Sequence, residues 1–260
     1  MAQSLRWTRK EVAALLRDRG IRPRRSLGQS FLVDENFLDA IVRDAGVGPE
    51  DGVIEIGSGI GNLTDRLGAR AGRVWAFEID PALHGISREL LAGRGNITLV
   101  PGDGIEFARH VDPGLCRRLK VVSNLPYGGW KRLFLALLSC PHDVEGYTLM
   151  LQRDVCDRLR AAPGTREYGP MAVLAGAACE VEVRRRAGRE LFHPVPRVDS
   201  VVLGLRRKDR SLDFARAEER LRALFAGRRK RSALAGGRRV EELTPGELLD
   251  LVRGPAPERL

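Results

Sequence analysis

The chain has 260 residues, 43% of them hydrophobic, and carries 44 Lys and Arg against 34 Asp and Glu, a formal net charge of +10. This is enough apolar content for a real core, and the length fits one large domain or a large domain with a small one. No apolar run approaches membrane-spanning length, and the four cysteines form no C-x-x-C pair and have no His at metal spacing, which excludes a membrane span and a cysteine-based metal module.

Thr8 to Arg19 mixes apolar and charged residues at helical spacing, with Thr8 as N-cap and Gly20 as the stop. Ile21 to Ser30 is a basic loop. Asp34 caps a second helix whose apolar face is Phe37, Leu38, Ile41 and Val42. Strands and helices then alternate. Val53–Ile56, Val74–Phe77, Ile97–Val100, Leu119–Ser123 and Tyr147–Leu151 read as strands, and Asn62–Gly68, Pro81–Leu91 and Trp130–Leu138 as helices. Such alternation predicts an α/β fold around a mostly parallel, doubly wound sheet, with ligands at the carboxyl ends of its strands. Cys179–Val183 and Val198–Leu205 read as an antiparallel pair at the sheet edge. Residues 212–252 carry only helical signals, with apolar faces at Leu221, Leu224 and Phe225 and at Leu248, Leu251 and Val252.

The basic residues gather at Arg22, Arg24 and Arg25, at Arg184 to Arg186, at Arg206, Arg207, Lys208 and Arg210, and at Arg228, Arg229, Lys230 and Arg231. Single-sign clusters favour a polyanionic partner, nucleic acid first, unless counter-charges lie beside them. The polar N-terminus lacks the apolar stretch of a signal peptide, and Cys116, Cys140, Cys156 and Cys179 fit small core residues in a reducing compartment. A soluble, cytoplasmic chain is expected.

Four strand ends carry the candidate chemistry. Glu55-Ile56-Gly57-Ser58-Gly59-Ile60-Gly61 follows the first strand of the alternating region. Its glycines fall at alternate positions, with Asn62 where a dinucleotide loop would need its third glycine. That spacing suits a cofactor without phosphates, such as S-adenosylmethionine. Glu78 ends the next strand, where a carboxylate can accept both ribose hydroxyls. Asp103 follows the third, where it can accept from an adenine amino group. Asn124-Leu125-Pro126-Tyr127 ends the fourth. There an Asn oxygen and a carbonyl beside the Pro can hold an NH2 group, Pro stiffens the loop, and the Tyr ring can stack on an extruded base.

On these residues the chain resembles the rRNA adenine N6-dimethyltransferase family, which includes the KsgA-like dimethyladenosine transferases and the Erm resistance methyltransferases. Leu27 to Leu32 is similar to the family's G-Q-N-F-L segment, which folds over the cofactor. Glu55 to Gly61 matches E-I-G-x-G-x-G, Glu78 to Asp80 matches E-x-D, and Phe192 to Ser200 is similar to F-x-P-x-P-K-V-D-S. Leu224 to Lys230 and Glu241 to Pro245 resemble the KsgA branch. The resemblance implies a Rossmann-like class I methyltransferase domain over residues 1–206 and a helical rRNA-binding domain over 207–260. It implies S-adenosylmethionine contacts at Gln29, Ser30, Leu32, Glu55, Gly57, Gly59, Gly61, Glu78, Ile79, Asp103, Gly104 and Asn124. It also implies a target-base site at Asn124, Leu125, Pro126, Tyr127 and Phe192. The other reading of Phe192 is a core residue at the domain junction.

The implied activity is N6-methylation of adenines near the 3′ end of small-subunit rRNA during ribosome biogenesis, by a monomer, with no metal. An Erm-type enzyme of large-subunit rRNA and a catalytically weak ribosome-assembly factor are the alternatives. A methyltransferase of DNA or of a protein amide is a further rival. Two departures stand out. Ser30 replaces the usual Asn, and Gly128-Gly129-Trp130 replaces N-I-S after Tyr127. Trp130 reads as a stacking surface or as an anchor for the following helix.

Overall fold

The computed structural model describes residues 7–24, 28–126, 128–208 and 212–253. In chain order the elements are α1 (Arg9–Asp18), β1 (Phe31–Leu32), α2 (Glu35–Asp44), β2 (Asp51–Ile56), α3 (Asn62–Gly68), β3 (Arg73–Glu78), α4 (Pro81–Leu90), β4 (Ile97–Pro101) and β5 (Arg118–Asn124). There follow α5 (Trp130–Leu138), β6 (Val144–Gln152), α6 (Arg153–Leu159), α7 (Pro170–Ala178), β7 (Cys179–Ala187), β8 (Phe192–His193), β9 (Ser200–Arg207), α8 (Phe214–Ala226) and α9 (Pro245–Arg253).

The expected helix starts hold for identifiable reasons. Thr8 and Glu11 form a reciprocal capping box at α1. Asp34 accepts the Phe37 N–H at α2, and Asp80 accepts the Ala82 N–H in front of Pro81 at α4.

Seven strands form one sheet in the order β4-β3-β2-β5-β6-β9-β7. Strands β4, β3, β2, β5 and β6 pair in parallel, and β9 runs antiparallel between β6 and β7. The late strands are thus the expected antiparallel pair, with β7 at the edge. Strand β2 is buried along its whole length, as a central strand covered by helices on both faces must be. The chain leaves β2 toward β3 and β4 and returns to β5 on its other side. The topological switch point therefore lies between β2 and β5, and their carboxyl ends open a crevice there.

The sequence pattern predicts neither α6 nor α7. Helix α7, Pro-Met-Ala-Val-Leu-Ala-Gly-Ala-Ala, is apolar on every side and shows no helical period, because the C-terminal helices α8 and α9 pack on it as well as the sheet. Leu221, Leu248 and Val252 join the same apolar cluster as Ile54, Val121 and Leu149 of the sheet. Tyr168 donates its hydroxyl to the Leu243 carbonyl at 2.9 Å and meets Phe225 edge-on, tying the loop before α7 to the C-terminal helices. Among the described residues, no helix is long and apolar enough to cross a membrane.

Candidate active site

The crevice at the switch point holds about 780 Å3 of space, part of it open solvent. Its floor is the turn after β2. Gly57, Gly59 and Gly61 all adopt left-handed backbone conformations, at φ +78°, +59° and +89°. The Phe77 carbonyl at the end of β3 accepts the N–H groups of Gly57 (2.8 Å) and Ser58 (3.0 Å), which folds the turn back over the sheet. At two of these glycines an added side chain would crowd a different neighbour. A Cβ on Gly57 would press on Pro126 Cδ at 3.3 Å, and one on Gly59 would lie 3.1 Å from the Phe31 ring. Gly57 thus lets the β2 turn and the β5 loop approach each other.

Two carboxyl groups line the crevice. Glu78 receives the Gly59 N–H at 2.7 Å and the Asp80 N–H at 2.8 Å. Burial nevertheless outweighs these bonds and raises its carboxyl above the ordinary range, with Asp80 adding repulsion. Glu55 is 2% exposed and accepts the Thr64 hydroxyl at 2.6 Å. Burial pushes its carboxyl up to about 8, against the Thr64 bond, and the Glu78 charge pushes the same way.

Strand β5 brings Asn124 to the opposite wall. Leu125 donates its N–H to the Met150 carbonyl at 3.1 Å and buries its side chain, so the loop leaves the sheet from a fixed point. The Asn124 side-chain oxygen is buried and has no hydrogen-bond partner among the described residues, and the same holds for Ser58 Oγ and Asn62 Oδ1. Such groups are costly to bury unpaired. Three of them around one crevice call for a polar ligand, and at Asn124 for one that bears a hydrogen-bond donor.

The third wall is the segment from Gly28 to Leu32. Gln29 donates to Asp80 at 3.0 Å and accepts the Arg24 N–H at 2.7 Å. Asn62 Nδ2 donates to the Leu32 carbonyl at 3.0 Å. Ser30 donates its hydroxyl to the Pro194 carbonyl at 2.8 Å.

Of the site residues read from the sequence, Gln29, Ser30, Leu32, Glu55, Gly57, Gly59, Glu78, Ile79, Asn124, Leu125 and Pro126 line this crevice. Gly61, Asp103 and Gly104 do not. Gly61 packs on Leu91, Gly104 on Ile56, and Asp103 is exposed and caps the turn that follows it. Phe192 is fully buried in the cluster that holds Leu32 and Val202, and therefore sits in the core rather than on the crevice wall. Tyr127 lies outside the described residues, as do Arg25 and Arg210. Trp130 is half-buried against the main core, in the position of an anchor for α5. The lining also includes Gly28, Phe31, Leu38, Ser58, Ile60, Asn62, Leu63 and Leu83, which the sequence reading did not single out as site residues. For Ser58, Ile60 and Asn62 the signal was their place in or just after the glycine turn.

The basic clusters are less bare than the sequence suggests. Arg185 pairs with Asp44, Arg184 with Glu182, Arg206 with Glu180 and Arg228 with Glu241. Lys208 donates to the Gly176 carbonyl. Arg229 and Lys230 remain exposed just beyond the end of α8.

Residues 20–234 match the family described as ribosomal RNA adenine dimethylase. The chain belongs to that family. It is 41% identical over 229 residues to ribosomal RNA small subunit methyltransferase A of Moorella thermoacetica, covering 84% of this chain and 80% of the relative. The protein of the same name from Bacillus thuringiensis is 40% identical over 217 residues, with 80% and 74% covered. Among solved structures, the 23S rRNA methyltransferase ErmE superposes with a TM-score of 0.62 at 29% identity, over 86% of this chain and 98% of its own. A dimethyladenosine transferase from Plasmodium falciparum shares the fold, with a TM-score of 0.71 at 24% identity, covering 84% and 94%. The expected α/β methyltransferase architecture is therefore the one this family member adopts.

Proposed function

We propose that this protein is an S-adenosylmethionine-dependent methyltransferase that modifies N6 of adenines near the 3′ end of small-subunit rRNA during ribosome biogenesis. The observation that carries this reading is the buried, unpartnered side-chain oxygen of Asn124, a residue at the end of β5 that lines the same crevice as the glycine turn. The 40% and 41% identities to proteins named for the small subunit favour that substrate over the large subunit named for ErmE.

The residues present fit the cofactor. Glu78 can accept ribose hydroxyls with the lone pairs its two backbone bonds leave over. Ile79, 53% exposed beside it, offers an apolar face to a purine. The glycine turn lets backbone approach the ligand closely. Once bound, S-adenosylmethionine supplies an electrophilic methyl group on a sulfonium.

The adenine N6 lone pair is delocalised into the ring and is a poor nucleophile. Asn124 and a carbonyl beside Pro126 hold its two hydrogens and favour a pyramidal nitrogen, with Tyr127 stacking on the base. No strong base is needed, since the methylated cation is acidic enough to release its proton to water. Rate therefore comes from positioning and electrostatics.

Incubating undermethylated small subunits with labelled cofactor, followed by mass spectrometry of rRNA fragments, tests the reading. Label in dimethyladenosine from the 3′ region is the expected result, and label confined to large-subunit rRNA or absent from rRNA overturns it. Two variants test its parts. Glu78→Ala weakens cofactor binding about tenfold or more, as loss of charge-assisted hydrogen bonds to two hydroxyls requires; calorimetry returning an unchanged affinity counts against the ribose role. The double variant Arg229→Gln and Lys230→Gln lowers the slope of log affinity for rRNA against log salt by about 1 to 2, one phosphate contact per charge. An unchanged slope removes the segment just after α8 from the RNA surface.

A further inference from the structure

The wall segment Gly28–Leu32 and the loop from Pro194 to Asp199 are distant in sequence but joined in space. In the β1–β8 ribbon Phe31 pairs with His193 and Leu32 with Phe192. Beyond one end of the ribbon, the Val33 N–H donates to the Leu191 carbonyl at 2.9 Å. Beyond the other, Pro194 has no N–H to continue the ladder, and its carbonyl is taken instead by the Ser30 hydroxyl at 2.8 Å. That proton is committed to the loop and not to the contents of the crevice that Ser30 lines.

A ribbon of two residues per strand is marginal by itself. Its inner end is secured by the burial of Leu32 and Phe192. At its outer end Val195 is 50% exposed and Val198 38% exposed, so the segment that follows has little packing of its own. The Ser30 bond is the side-chain link that closes this end, next to the crevice.

We infer that Ser30 is a positioning residue that couples the crevice wall to the Pro194–Asp199 loop, so that a ligand in the crevice and RNA docked on the loop each strengthen binding of the other. The inference rests on the function proposed above. A ligand under Gly28–Leu32 holds Ser30 in place. Ser30 then holds the Pro194 carbonyl, and with it the start of a loop that presents Val195, Arg197 and Val198 to solvent. Linkage makes the effect reciprocal.

Equilibrium dialysis with S-adenosylhomocysteine as the probe, with and without undermethylated small ribosomal subunits, measures this directly. In the wild-type chain the subunits tighten the probe about fivefold or more, within the usual range of such couplings. In Ser30→Ala the tightening, read as the ratio of the probe's affinities with and without subunits, falls below about twofold; Ser30→Thr, which keeps the hydroxyl, restores it. Full tightening in Ser30→Ala overturns the inference, and so does a wild-type chain that shows none. A loss in Ser30→Ala of more than about fivefold in affinity for the probe alone overturns it too, since that marks a direct cofactor contact. Methyl transfer to rRNA by the same wild-type preparation separates these failures from failure of the proposed function, for which neither probe binding nor transfer would be seen.

Discussion

Asn124→Ala lowers methyl transfer by about 100- to 1,000-fold, the range for removing one preorganised group at a reacting centre, while binding of S-adenosylmethionine survives in part. The Asn124 side-chain oxygen makes no hydrogen bond to any described residue, so truncation breaks no bond through that atom. Its burial is a standing cost that only a ligand donor offsets. Strand β5 is held instead by its pairing with β2 and β6 and by the Leu125 N–H to Met150. The variant should therefore keep nearly the wild-type melting temperature. Single-turnover transfer, calorimetry with the cofactor and a melting curve make the measurement complete. Wild-type turnover in Asn124→Ala would sink the amine-holding role, and with it the case for adenine as the target.

The stability of the wild-type chain falls with rising pH in a way that Glu55→Gln removes. Burial holds the Glu55 carboxyl at about 8 against an ordinary value of 4.5. The folded chain thus keeps a proton that the unfolded chain gives up. This group's contribution is fully present below pH 4.5 and is lost as pH rises through about 8. A shift of that size corresponds to on the order of 5 kcal/mol at the alkaline limit. Gln is uncharged at every pH, has nearly the same shape, and keeps an oxygen to accept the Thr64 hydroxyl. Wild type and Glu55→Gln should melt alike near pH 4.5, and the variant should melt several degrees higher above pH 8, at about 2 to 4 °C per kcal/mol for a chain of this size. Identical pH slopes for the two would mean that the ionised carboxylate finds a compensating partner in the folded chain.

The strand ends were legible because each combines an apolar run with a residue of distinctive chemistry. Glu55, Glu78 and Asn124 close β2, β3 and β5, and parallel topology sends all three to the same edge. Helix caps at Thr8, Asp34 and Asp80 were legible because capping is a local matter of a few residues. Helix α7 was not, since a helix buried on all sides has no period to read. The β1–β8 ribbon was not, since two residues carry no alternation and its strands lie about 160 residues apart in the chain. Phe192 marks the limit of composition: an aromatic residue in a motif reads as a stacking face or as core, and only its burial among Leu32 and Val202 places it.

The alternating elements, the left-handed glycines and the acids at strand ends follow from backbone sterics and from the period of apolar residues. Both act over a few positions, and the sequence specifies them unaided. The tertiary structure alone decided that Pro126 rests against Gly57, that Asn62 and Ser30 reach the Leu32 and Pro194 carbonyls, and that Arg185 and Arg206 meet Asp44 and Glu180. Those contacts join segments tens to more than a hundred residues apart. Their partners are chosen by how the layers pack around the sheet, which no local pattern encodes.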